Sequence, residues 1–426
     1  MFAVFLLAAG GVVAWLYQHL DSNINASYVD DKLGGGRPVS LSPGATNILL
    51  VGSDSRGDVK GKYGKVLSTV RSDTLMVLHI SATRKWAAVV SLPRDSWVRI
   101  PACDRGDGTR SIPRHFKINS AYSIGGADGN VGGAAACTIK TVEHNTGLRI
   151  DHFVIIDFHG FEDVVNAVGG IEICPKHAIH DNKAHLDLEA GCQVVRGERA
   201  LGYVRTRYSV GDGSDIGRLG RQQEFMRALA AKAQTKLTSP SDIYGFLDAA
   251  TKSITTDKAL AGIRPLYSLL STLQDIPKER LTFLTVPHYP REVDIATDKA
   301  NISWQYPQAR TLFTSLVNDQ EITEEQLATD TPITAGSIKV VVLNGSGTPG
   351  KAAMVAAELR AAGYSVAATG TIPQKVPRTT VTHPPGLEAH AEAFVARLRT
   401  ATGTRSDADA APTVVTLTVG ADYTGL

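Results

Sequence analysis

The chain has almost no excess of either charge. Lysine and arginine number 44 and aspartate and glutamate 42, so the formal net charge is +2 over 426 residues. A general nucleic-acid-binding protein would carry a strongly basic face, and this balance argues against one. Any anion-binding site must therefore be local. The length allows about two or three domains, and a hydrophobic content of 43% is ample for their cores.

The chain also lacks charged residues at its start. Residues 1–17 are apolar throughout (MFAVFLLAAGGVVAWLY), with Trp15 and Tyr17 at the outer end, where aromatic residues mark a membrane interface. A slightly longer segment, residues 1–20, reaches the ~17–25 residues that span a bilayer and is expected to form a single-pass membrane anchor. A cleaved signal peptide is the alternative, although only Ile24-Asn-Ala26 approximates a cleavage site. Under both interpretations the rest of the chain lies outside the cytoplasm.

Cysteine is scarce, with four residues and no Cys-x-x-Cys spacing of the kind that binds zinc. The four are Cys103, Cys137, Cys174 and Cys192. An even number of cysteines in an exported chain favours two disulfides, for which three connectivities exist. We expect the two sequence-adjacent pairs, because each of them closes one loop. The alternative is four buried free thiols.

Strand signals dominate the first half of the chain. The β-branched, mostly doubly apolar segments are typical of a sheet covered on both faces, and they are residues 46–51, 74–80, 86–92, 152–156 and 170–173. Helical patterns separate or follow them, which indicates a layered α/β or α+β domain. A strand–turn–helix–strand pattern near the end indicates a second, small α/β domain. The expected organisation is an anchor at residues 1–20, a linker at 21–44, a main domain at 45–320, a second linker at 321–336 and the small domain at 337–423.

Arginines cluster beside turn glycines and strand ends. The set is Arg71, Arg94, Arg205, Arg207, Arg218 and Arg221, with Gln222 beside the last. Arg205 and Arg207 are two apart on a segment expected to be extended, so both side chains leave one face. Arginine is a planar, permanently charged fork that matches phosphate oxygens two at a time. The cluster therefore predicts a polyanion site, most simply for a pyrophosphate, whereas a solvated face is the alternative for any run of charges.

A long helix is expected from Asp215, which is placed as its N-cap. One stripe of this helix, by spacing, holds Arg218, Arg221, Gln222 and Phe225. The stripe lies beside the apolar one that includes Met226 and Leu229, whereas a solvated face would lie opposite it. This position favours the anion site over the solvated face.

Two aspartates stand at strand ends in the same region. Asp54 follows a buried strand into a glycine turn, and Asp73 begins the next strand. Ligands of open sheets gather at such edges, and one Mg²⁺ is usually held by one or two carboxylates with phosphate oxygens and water. Asp54 and Asp73 are thus the candidate metal ligands, with an arginine pair or a turn cap as the alternative for each. Asp95, beside Arg94, is a candidate general base, and a salt bridge is its alternative role.

These residues fall within a series of motifs that occur in order along the chain. The motifs are Gly52-Ser-Asp-x-Arg56, Arg71-Ser-Asp-Thr74, Ser91-Leu-Pro-Arg-Asp95, Lys117-Ile-Asn-Ser-Ala-Tyr122, Asp157-Phe-x-Gly-Phe161, Val168-Gly-Gly170, Val204-Arg-x-Arg207 and Gly217-Arg-x-x-Arg-Gln-Gln223. Over residues 46–234 the chain resembles the LytR-CpsA-Psr family of cell-wall glycopolymer ligases. Residues 340–364 resemble the C-terminal domain that is often appended to LytR-type proteins. One departure from the family pattern is a long, basic insertion at residues 57–70.

The resemblance implies a membrane-anchored, extracytoplasmic phosphotransferase with an α-β-α layered domain around a central mixed sheet. It would move a glycan from a polyprenyl-pyrophosphate carrier to peptidoglycan through a phosphodiester bond. Asp54 and Asp73 match the Mg²⁺ carboxylates by motif position. The implied pyrophosphate ligands are Arg71, Arg94, Arg205, Arg207, Arg218, Arg221 and Gln222. Catalysis is assigned to Arg94, Asp95, Arg205 and Arg207, and the polyprenyl chain would need an apolar groove walled by Phe225, Met226 and Leu229.

Other functions account for parts of the pattern. A pyrophosphatase would use water in place of the sugar acceptor, and a lipid-pyrophosphate or wall-binding regulator would not catalyse any reaction. Gly345-Ser-Gly-Thr-Pro-Gly350 also matches the G-x-G-x-x-G of dinucleotide-binding folds. The strand expected after it, however, ends in Ala-Thr-Gly370 without an acidic residue for a ribose, so nucleotide binding is not expected.

Overall fold

A computed structural model of the chain describes residues 15–53, 72–105, 108–206, 215–328, 333–400 and 402–426. The chain divides by its contacts into two compact units. Unit 1 comprises Met1–Arg94, Val98–Thr285 and Leu316–Glu321, and unit 2 comprises Asp95–Trp97, Val286–Ser315 and Ile322–Leu426. Residues 286–315, which the predicted boundaries assign to the main domain, thus pack within unit 2.

A mixed, seven-stranded sheet forms the centre of the described part of unit 1. Its strands, in chain order, are β1 (Asn25–Ala26), β2 (Thr46–Ser53), β3 (Ser72–Ile80), β4 (Ala87–Ser91), β7 (His152–Ile156), β12 (Ile254–Thr256) and β13 (Leu281–Thr285). The spatial order is β1-β12-β7-β2-β3-β4-β13. The neighbours β1/β12, β2/β7 and β4/β13 are parallel, and the other pairs are antiparallel. The predicted α/β class and mixed central sheet are confirmed.

Both faces of the central strands are buried, as their doubly apolar sequences predict. On β2, the neighbours Ile48 and Leu49 point to opposite faces and are at most 1% exposed. One face packs with Met76, Leu78 and Phe283 in a cluster that also holds residues of helices. Burial on both sides requires layers above and below the sheet.

Short ribbons account for most of the remaining strands of unit 1. They are β5 (Trp97–Ile100) with β6 (Arg114–Lys117), β8 (Ile171–Ile173) with β11 (Gln193–Val195), and β9 (Ile179–Asp181) with β10 (Leu186–Leu188). The segment at 170–173 was predicted as a strand of the covered sheet. That placement is wrong, because β8 pairs with β11 in a separate two-stranded ribbon.

Helices surround the sheets in both units. Their bounds are α1 Asp30–Leu33, α2 Ser120–Gly125, α3 Val131–Thr146, α4 Phe158–Ala167, α5 Gly197–Arg205, α6 Asp215–Lys236, α7 Pro240–Ser253, α8 Ile263–Asp275, α9 Gln308–Val317, α10 Glu324–Leu327, α11 Lys351–Ala361 and α12 Glu388–Arg397. Residues 15–22 are also helical. In the described ranges, no helix is long and apolar enough to cross a membrane. Most of the predicted anchor, residues 1–14, lies outside those ranges.

The helices α2 and α3 approach closely at two glycines. A Cβ added at Gly125 would lie 2.1 Å from the carbonyl oxygen of Gly133, and one added at Gly133 would lie 2.2 Å from that of Gly125. Beside this contact, Cys103 and Cys137 form a disulfide, and Cys174 pairs with Cys192. The predicted sequence-adjacent pairing is therefore confirmed.

Unit 2 has its own sheet and core. The strands β16 (Lys339–Asn344), β17 (Ser365–Thr371), β18 (Thr380–His383), β19 (Thr404–Ser406) and β20 (Val415–Val419) form a five-stranded sheet in the order β17-β16-β20-β18-β19. A hairpin-like pair, β14 (His288–Pro290) and β15 (Ile302–Trp304), precedes it in the chain. Helices α11 and α12 bury Leu359 and Phe394 against Val342 and Leu417 of the sheet. The small C-terminal α/β fold agrees with the sequence pattern.

One end of the central sheet collects the ends of neighbouring strands. Gly52, near the end of β2, pairs with Thr74 of β3 and with Ile156 of β7. Ser91, which ends β4, pairs with Thr285, which ends β13. The loops that follow β2, β4 and β7 therefore leave the sheet at the same end as the start of β3. This is the edge at which the sequence placed its candidate site.

Candidate functional site

A cavity of about 520 Å³ lies in unit 1 at this end of the sheet. Most of its lining is aliphatic or aromatic, and a smaller set of polar side chains shares it. The apolar residues include Leu50, Met76, Val154, Ile156, Phe158, Phe161, Val164, Leu201, Phe225, Met226, Leu229 and Phe246. The polar ones are Asp73, Thr74, Asp157, Asp181, Lys183, Arg205 and Gln222. Phe225, Met226 and Leu229 were predicted to wall an apolar groove, and the cavity confirms that placement.

Asp73 and Arg94 form an ion pair at the cavity. The Nη1 atom of Arg94 donates to Oδ1 of Asp73 at 2.7 Å, with side-chain exposures of 15% for the arginine and 33% for the aspartate. Asp73 lies at the start of β3, and Arg94 follows β4, whose antiparallel pairing with β3 brings the two segments together. The amide of Asn119 donates to the Arg94 carbonyl at 3.2 Å and fixes the turn. The pair places a guanidinium and a carboxylate at the same edge.

Arg205 also lines the cavity, and its backbone differs from the prediction. It is the last residue of helix α5, so the expectation of an extended segment through Arg205 is wrong. Its guanidinium lies 4.5 Å from the ring centroid of Phe158, which is the first residue of α4. A cation at a helix C-terminus is stabilised by the helix dipole, and the aromatic face adds a cation–π contact. Both interactions hold the guanidinium at the cavity.

The two neighbours Arg221 and Gln222 on helix α6 have different surroundings. Gln222 lines the cavity, and its Nε2 donates to the Val204 carbonyl at 3.1 Å and to Oγ1 of Thr74 at 3.4 Å. Arg221 is 8% exposed and donates through Nη2 to the carbonyl of Thr206 at 2.6 Å. Burial lowers the pKa of this guanidinium. Gln222 is thus placed as a cavity residue, whereas Arg221 supports the chain that follows α5.

Tyr203 packs beside these helix residues and is 3% exposed. Its hydroxyl donates to Oε2 of Glu224 at 3.4 Å. Burial next to that carboxylate raises the pKa of Tyr203 to about 12. The phenol therefore stays protonated at neutral pH and acts as a donor within the support of the site.

Several of the predicted ligands lie outside the described residues. Asp54, Arg71 and Arg207 are among them, and Arg218 lies on α6 at a position whose side chain is not described. The described part of the site therefore offers Asp73 as its metal-ligand candidate. A carboxylate oxygen beside a cavity suits a hard cation such as Mg²⁺, which takes oxygen ligands. Its pairing with Asp54 stays a prediction.

Asp95 belongs by its contacts to unit 2, although Arg94 before it belongs to unit 1. The Asp95 carbonyl accepts a hydrogen bond from the Ile302 amide at 3.1 Å, within that same unit. A catalytic role for its side chain stays a prediction.

Sequence reasoning missed part of the polar lining. Asp157 accepts a hydrogen bond from the Gly160 amide at 2.8 Å and caps helix α4. Asp181 is 5% exposed and accepts bonds from Thr206 Oγ1 at 2.5 Å and from the Lys183 amide at 3.0 Å. The Asp-x-x-Gly cap signal could have placed Asp157. Lys183 sits in a tight turn between short strands, and no pattern in its neighbourhood marks it.

Known proteins resemble this chain at the level of the domain. Residues 16–315 match the model of the LytR_cpsA_psr family. The chain belongs to the LytR_cpsA_psr family. Residues 337–423 match a second model, described as the LytR cell envelope-related transcriptional attenuator.

Members of the LytR_cpsA_psr family with assigned names are moderately similar. The cell wall biosynthesis protein LcpA of Corynebacterium glutamicum is 30% identical over 374 residues, covering 79% of this chain and 70% of LcpA. The probable cell wall biosynthesis protein LcpB of the same organism is 39% identical over 204 residues, and that match spans 46% of this chain and 43% of LcpB. The polyisoprenyl-teichoic acid–peptidoglycan teichoic acid transferase TagT of Bacillus subtilis is 29% identical, covering 65% of this chain and 82% of TagT.

A solved structure from the LytR_cpsA_psr family supports the fold. The LytR-Csp2A-Psr enzyme from Actinomyces oris superposes with a TM-score of 0.53 at 20% identity, covering 69% of this chain and 96% of that one. At this identity the likeness concerns the fold alone. It agrees with the mixed central sheet of unit 1.

Proposed function

We propose that this protein transfers a glycan polymer from a polyisoprenyl-diphosphate carrier to peptidoglycan, on the outer face of a bacterial membrane. The observation that carries the proposal is a single cavity whose walls are apolar and whose lining includes Arg205, Gln222 and Asp73, the last paired with Arg94. The name of TagT supports the same class of reaction and acceptor, and that of LcpA supports a role in cell wall biosynthesis.

The two parts of the cavity suit the two parts of such a carrier. A diphosphate is recognised by guanidinium and amide donors, which Arg205, Arg94 and Gln222 supply. An isoprenoid chain has no polar atoms, so it requires a wall such as Phe225, Met226 and Leu229 provide. A volume of about 520 Å³ is in the range of small-molecule pockets, which is enough for the diphosphate and the first isoprene units.

The reaction is a phosphoryl-type transfer in which one bond forms and one breaks. The oxygen of an acceptor hydroxyl on peptidoglycan attacks the phosphorus that carries the glycan. The bond from that phosphorus to the bridging oxygen breaks, and the lipid monophosphate leaves with the electron pair. The hydroxyl proton passes to solvent or to a carboxylate. Arg94 and Arg205 bind the phosphate oxygens and stabilise the charge that develops on them.

A magnesium ion would neutralise the negative charge of the bound diphosphate. Asp73 is the described residue that would hold it, together with Asp54 by the family pattern. Residues 1–20 would anchor the protein, and the two disulfides agree with an oxidising compartment outside the cytoplasm.

The test is a transfer assay with the full chain in vesicles, a lipid-linked glycan donor and peptidoglycan fragments. We expect a polymer–peptidoglycan product and free lipid monophosphate. Asp73→Asn should lower the rate at least about tenfold. The matched control is Asp187→Asn, which removes a carboxylate that is 82% exposed and should leave the rate unchanged.

Two outcomes would contradict the proposal. Release of phosphorylated glycan with no product on peptidoglycan, while acceptor is present, would identify a pyrophosphatase. Tight binding of the donor without turnover in the presence of Mg²⁺, Mn²⁺ or Ca²⁺ would identify a lipid-binding regulator.

A further inference from the structure

The helix that follows the apolar N-terminal segment is packed against the body of unit 1. Leu20 is 5% exposed and lies in a cluster with Leu247 of α7 and Ile263 of α8. The Asp21 carboxylate accepts a hydrogen bond from the Ile263 amide at 3.2 Å. That amide is the first of helix α8, and the preceding Gly262 supplies no side-chain cap. Residues 15–22 therefore cap and cover another helix, so their position on unit 1 is fixed.

A second set of contacts joins the same helix to α7. Nδ2 of Asn23 donates to Oδ1 of Asp248 at 3.4 Å, and Nε2 of His19 lies 3.4 Å from the same oxygen. Asp248 also accepts a bond from Lys252 at 2.7 Å, one turn further along the helix. These polar contacts flank the apolar cluster and set the rotation of the docked helix.

Next to the docked helix, aromatic and basic side chains face solvent. Tyr17 is 40% exposed and Tyr267 is 50% exposed. The guanidinium carbon of Arg264 lies 5.8 Å from the ring centroid of Tyr17, and Arg264 shares one face of α8 with Tyr267 at i and i+3. We name Tyr17, Arg264 and Tyr267 the collar. Trp15, 61% exposed, stacks on His19 at the start of the same helix.

The composition of the collar and its place in the chain favour a lipid bilayer as the surface that it contacts. Tyrosine and tryptophan are enriched where a protein meets the headgroups of a bilayer, and arginine there is attracted to anionic lipids. Residues 1–14 precede Trp15 directly, and all of them are apolar or glycine (MFAVFLLAAGGVVA). Binding to a protein partner would not require an apolar segment next to the collar, whereas a lipid bilayer would take up residues 1–14.

We propose that the collar rests on the headgroups of an anionic bilayer and fixes the orientation of unit 1 on the membrane. This surface is additional to the anchor, and it rests on the proposed function in that the anchor brings it to the membrane. The docked helix couples the anchor to the collar. Because this helix is packed on α7 and α8, the position of the anchor in the membrane also sets the position of those two helices.

Helix α7 connects the collar with the cavity. Leu247 holds the docked helix on one side of α7, while Phe246 and Ala250, one helical turn apart, line the cavity on an adjacent side. The apolar wall of the cavity is therefore held within about one helix diameter, ~10 Å, of the docked helix. A carrier lipid could enter from the bilayer without crossing a long aqueous gap.

The experiment places a tryptophan in the collar of the full chain. Tyr267→Trp protein is reconstituted in anionic vesicles whose acyl chains carry bromine on the carbons nearest the headgroups, where it quenches the emission of an indole at the interface. We expect a loss of the added emission relative to vesicles without bromine. The control variant is Ile112→Trp, at an 81% exposed position of unit 1, and its added emission should not change. Both side chains are exposed, so neither change should alter folding, which a circular dichroism melt checks.

Flotation of the vesicles distinguishes failure of the collar proposal from failure of the membrane anchor. Protein that floats with the vesicles while the Tyr267→Trp emission is unquenched, or is quenched no more than that of Ile112→Trp, overturns the collar and leaves the anchor intact. Protein that does not float overturns both the anchor and the collar. In a second measurement, Arg264→Glu should reduce the quenching of Tyr267→Trp in anionic vesicles but not in zwitterionic ones, whereas Arg264→Lys should retain it. Equal quenching for all three residues at position 264 would contradict the charge contact with lipid.

Discussion

The arginines of unit 1 and those of unit 2 have opposite surroundings. In unit 1, Arg205 lines a cavity and lies over the aromatic face of Phe158. Arg94 is paired with Asp73, a partly exposed carboxylate of the same lining. In unit 2, Arg291 is 2% exposed and donates to Asp298 at 2.8 Å and to the Ala361 carbonyl at the end of α11. Arg310 donates to the carbonyls of Ala396 and Leu398 at the end of α12.

The difference shows that the same side chain can line a cavity or hold a fold. Unit 2 uses its guanidinium groups to satisfy carbonyls at helix C-termini, which have no partner within the helix. The Arg397 guanidinium lies 5.7 Å from the ring centroid of Tyr306 and 5.8 Å from that of Tyr364. The guanidinium groups of these unit 2 arginines face other groups of the protein. Arg205, by contrast, lines a cavity, and a cavity is what a bound phosphate requires.

The largest expected effect is the loss of transfer in Arg205→Ala. Removing one charged donor from the phosphate site should lower the rate by about 100- to 1,000-fold. The unfolding free energy should fall by less than about 1 kcal/mol, since one cation–π contact with Phe158 is lost. The control is Arg199→Ala, an exposed residue on the same helix that donates to Gln193. A rate within threefold of the wild type would remove Arg205 from the site.

Arg291→Ala should show the opposite profile. It removes a buried guanidinium that donates to the Asp298 carboxylate and to the Ala361 carbonyl, and Asp298 then keeps only its bond from Asn301 among those described. The free energy of unfolding should therefore fall by about 3 kcal/mol in denaturant titrations. Transfer at a temperature below unfolding should remain near the wild-type rate. Arg360→Ala, an exposed neighbour of the Ala361 carbonyl, serves as control. Loss of activity in a folded Arg291→Ala protein would contradict the division between the two kinds of arginine.

Arg221→Met tests a residue between the two classes. The family pattern makes Arg221 a phosphate ligand, yet its observed partner is the Thr206 carbonyl. Methionine keeps most of the volume but leaves that carbonyl unsatisfied, at about 1–3 kcal/mol of stability. If the role is support, the change in melting temperature should account for the lost activity, and KM for the donor should stay constant. A raised KM without a lower melting temperature would make Arg221 a ligand.

The buried His79 and the partly buried His152, whose charges change with pH, should give the smallest effect. Burial lowers the pKa of His79 below 6.5, so the stability of the folded protein should fall as pH drops below about 6.5. The hydrogen bond to Asp257 raises the pKa of His152, and its contribution is complete below about 6.5 and lost as pH rises through the higher folded value. His79→Gln should therefore flatten the acid decline, and His152→Gln should steepen it. Equal pH profiles for wild type and both variants would refute both assignments.

Much of the fold follows from the sequence because its main elements are long and regular. The strands β2, β3 and β4 are β-branched runs, and the pairing of four cysteines follows from the loops they close. The short ribbons, such as β9 with β10, have three residues a strand, too few to show a period. Residues 286–315 pack in unit 2, although the change in composition along the sequence comes only after them. A change in composition reveals a linker, but it does not reveal which unit a preceding segment packs against.

The candidate site was predictable in its location and less so in its details. Strand ends placed Asp73 and Arg94 at one edge of the sheet, and helical spacing placed Gln222 on a stripe beside the apolar one. The helical state of Arg205 could not be foreseen, because Val204-Arg-x-Arg207 has the alternation of a strand and the helix before it is only nine residues long. The separation of Arg221 from Gln222 depends on which neighbour each side chain meets, and that is a property of tertiary packing.

The meeting of Gly125 with Gly133 has a consequence for how this protein can change over time. A larger residue at either position would clash with a main-chain carbonyl oxygen. Every residue type has this oxygen, so no substitution elsewhere can remove the clash. No second substitution can therefore make room for a larger residue at Gly125 or Gly133, and sequence changes are expected at other positions instead. In a population of variants, we expect glycine to persist at both positions, because any larger residue would require a whole helix to move.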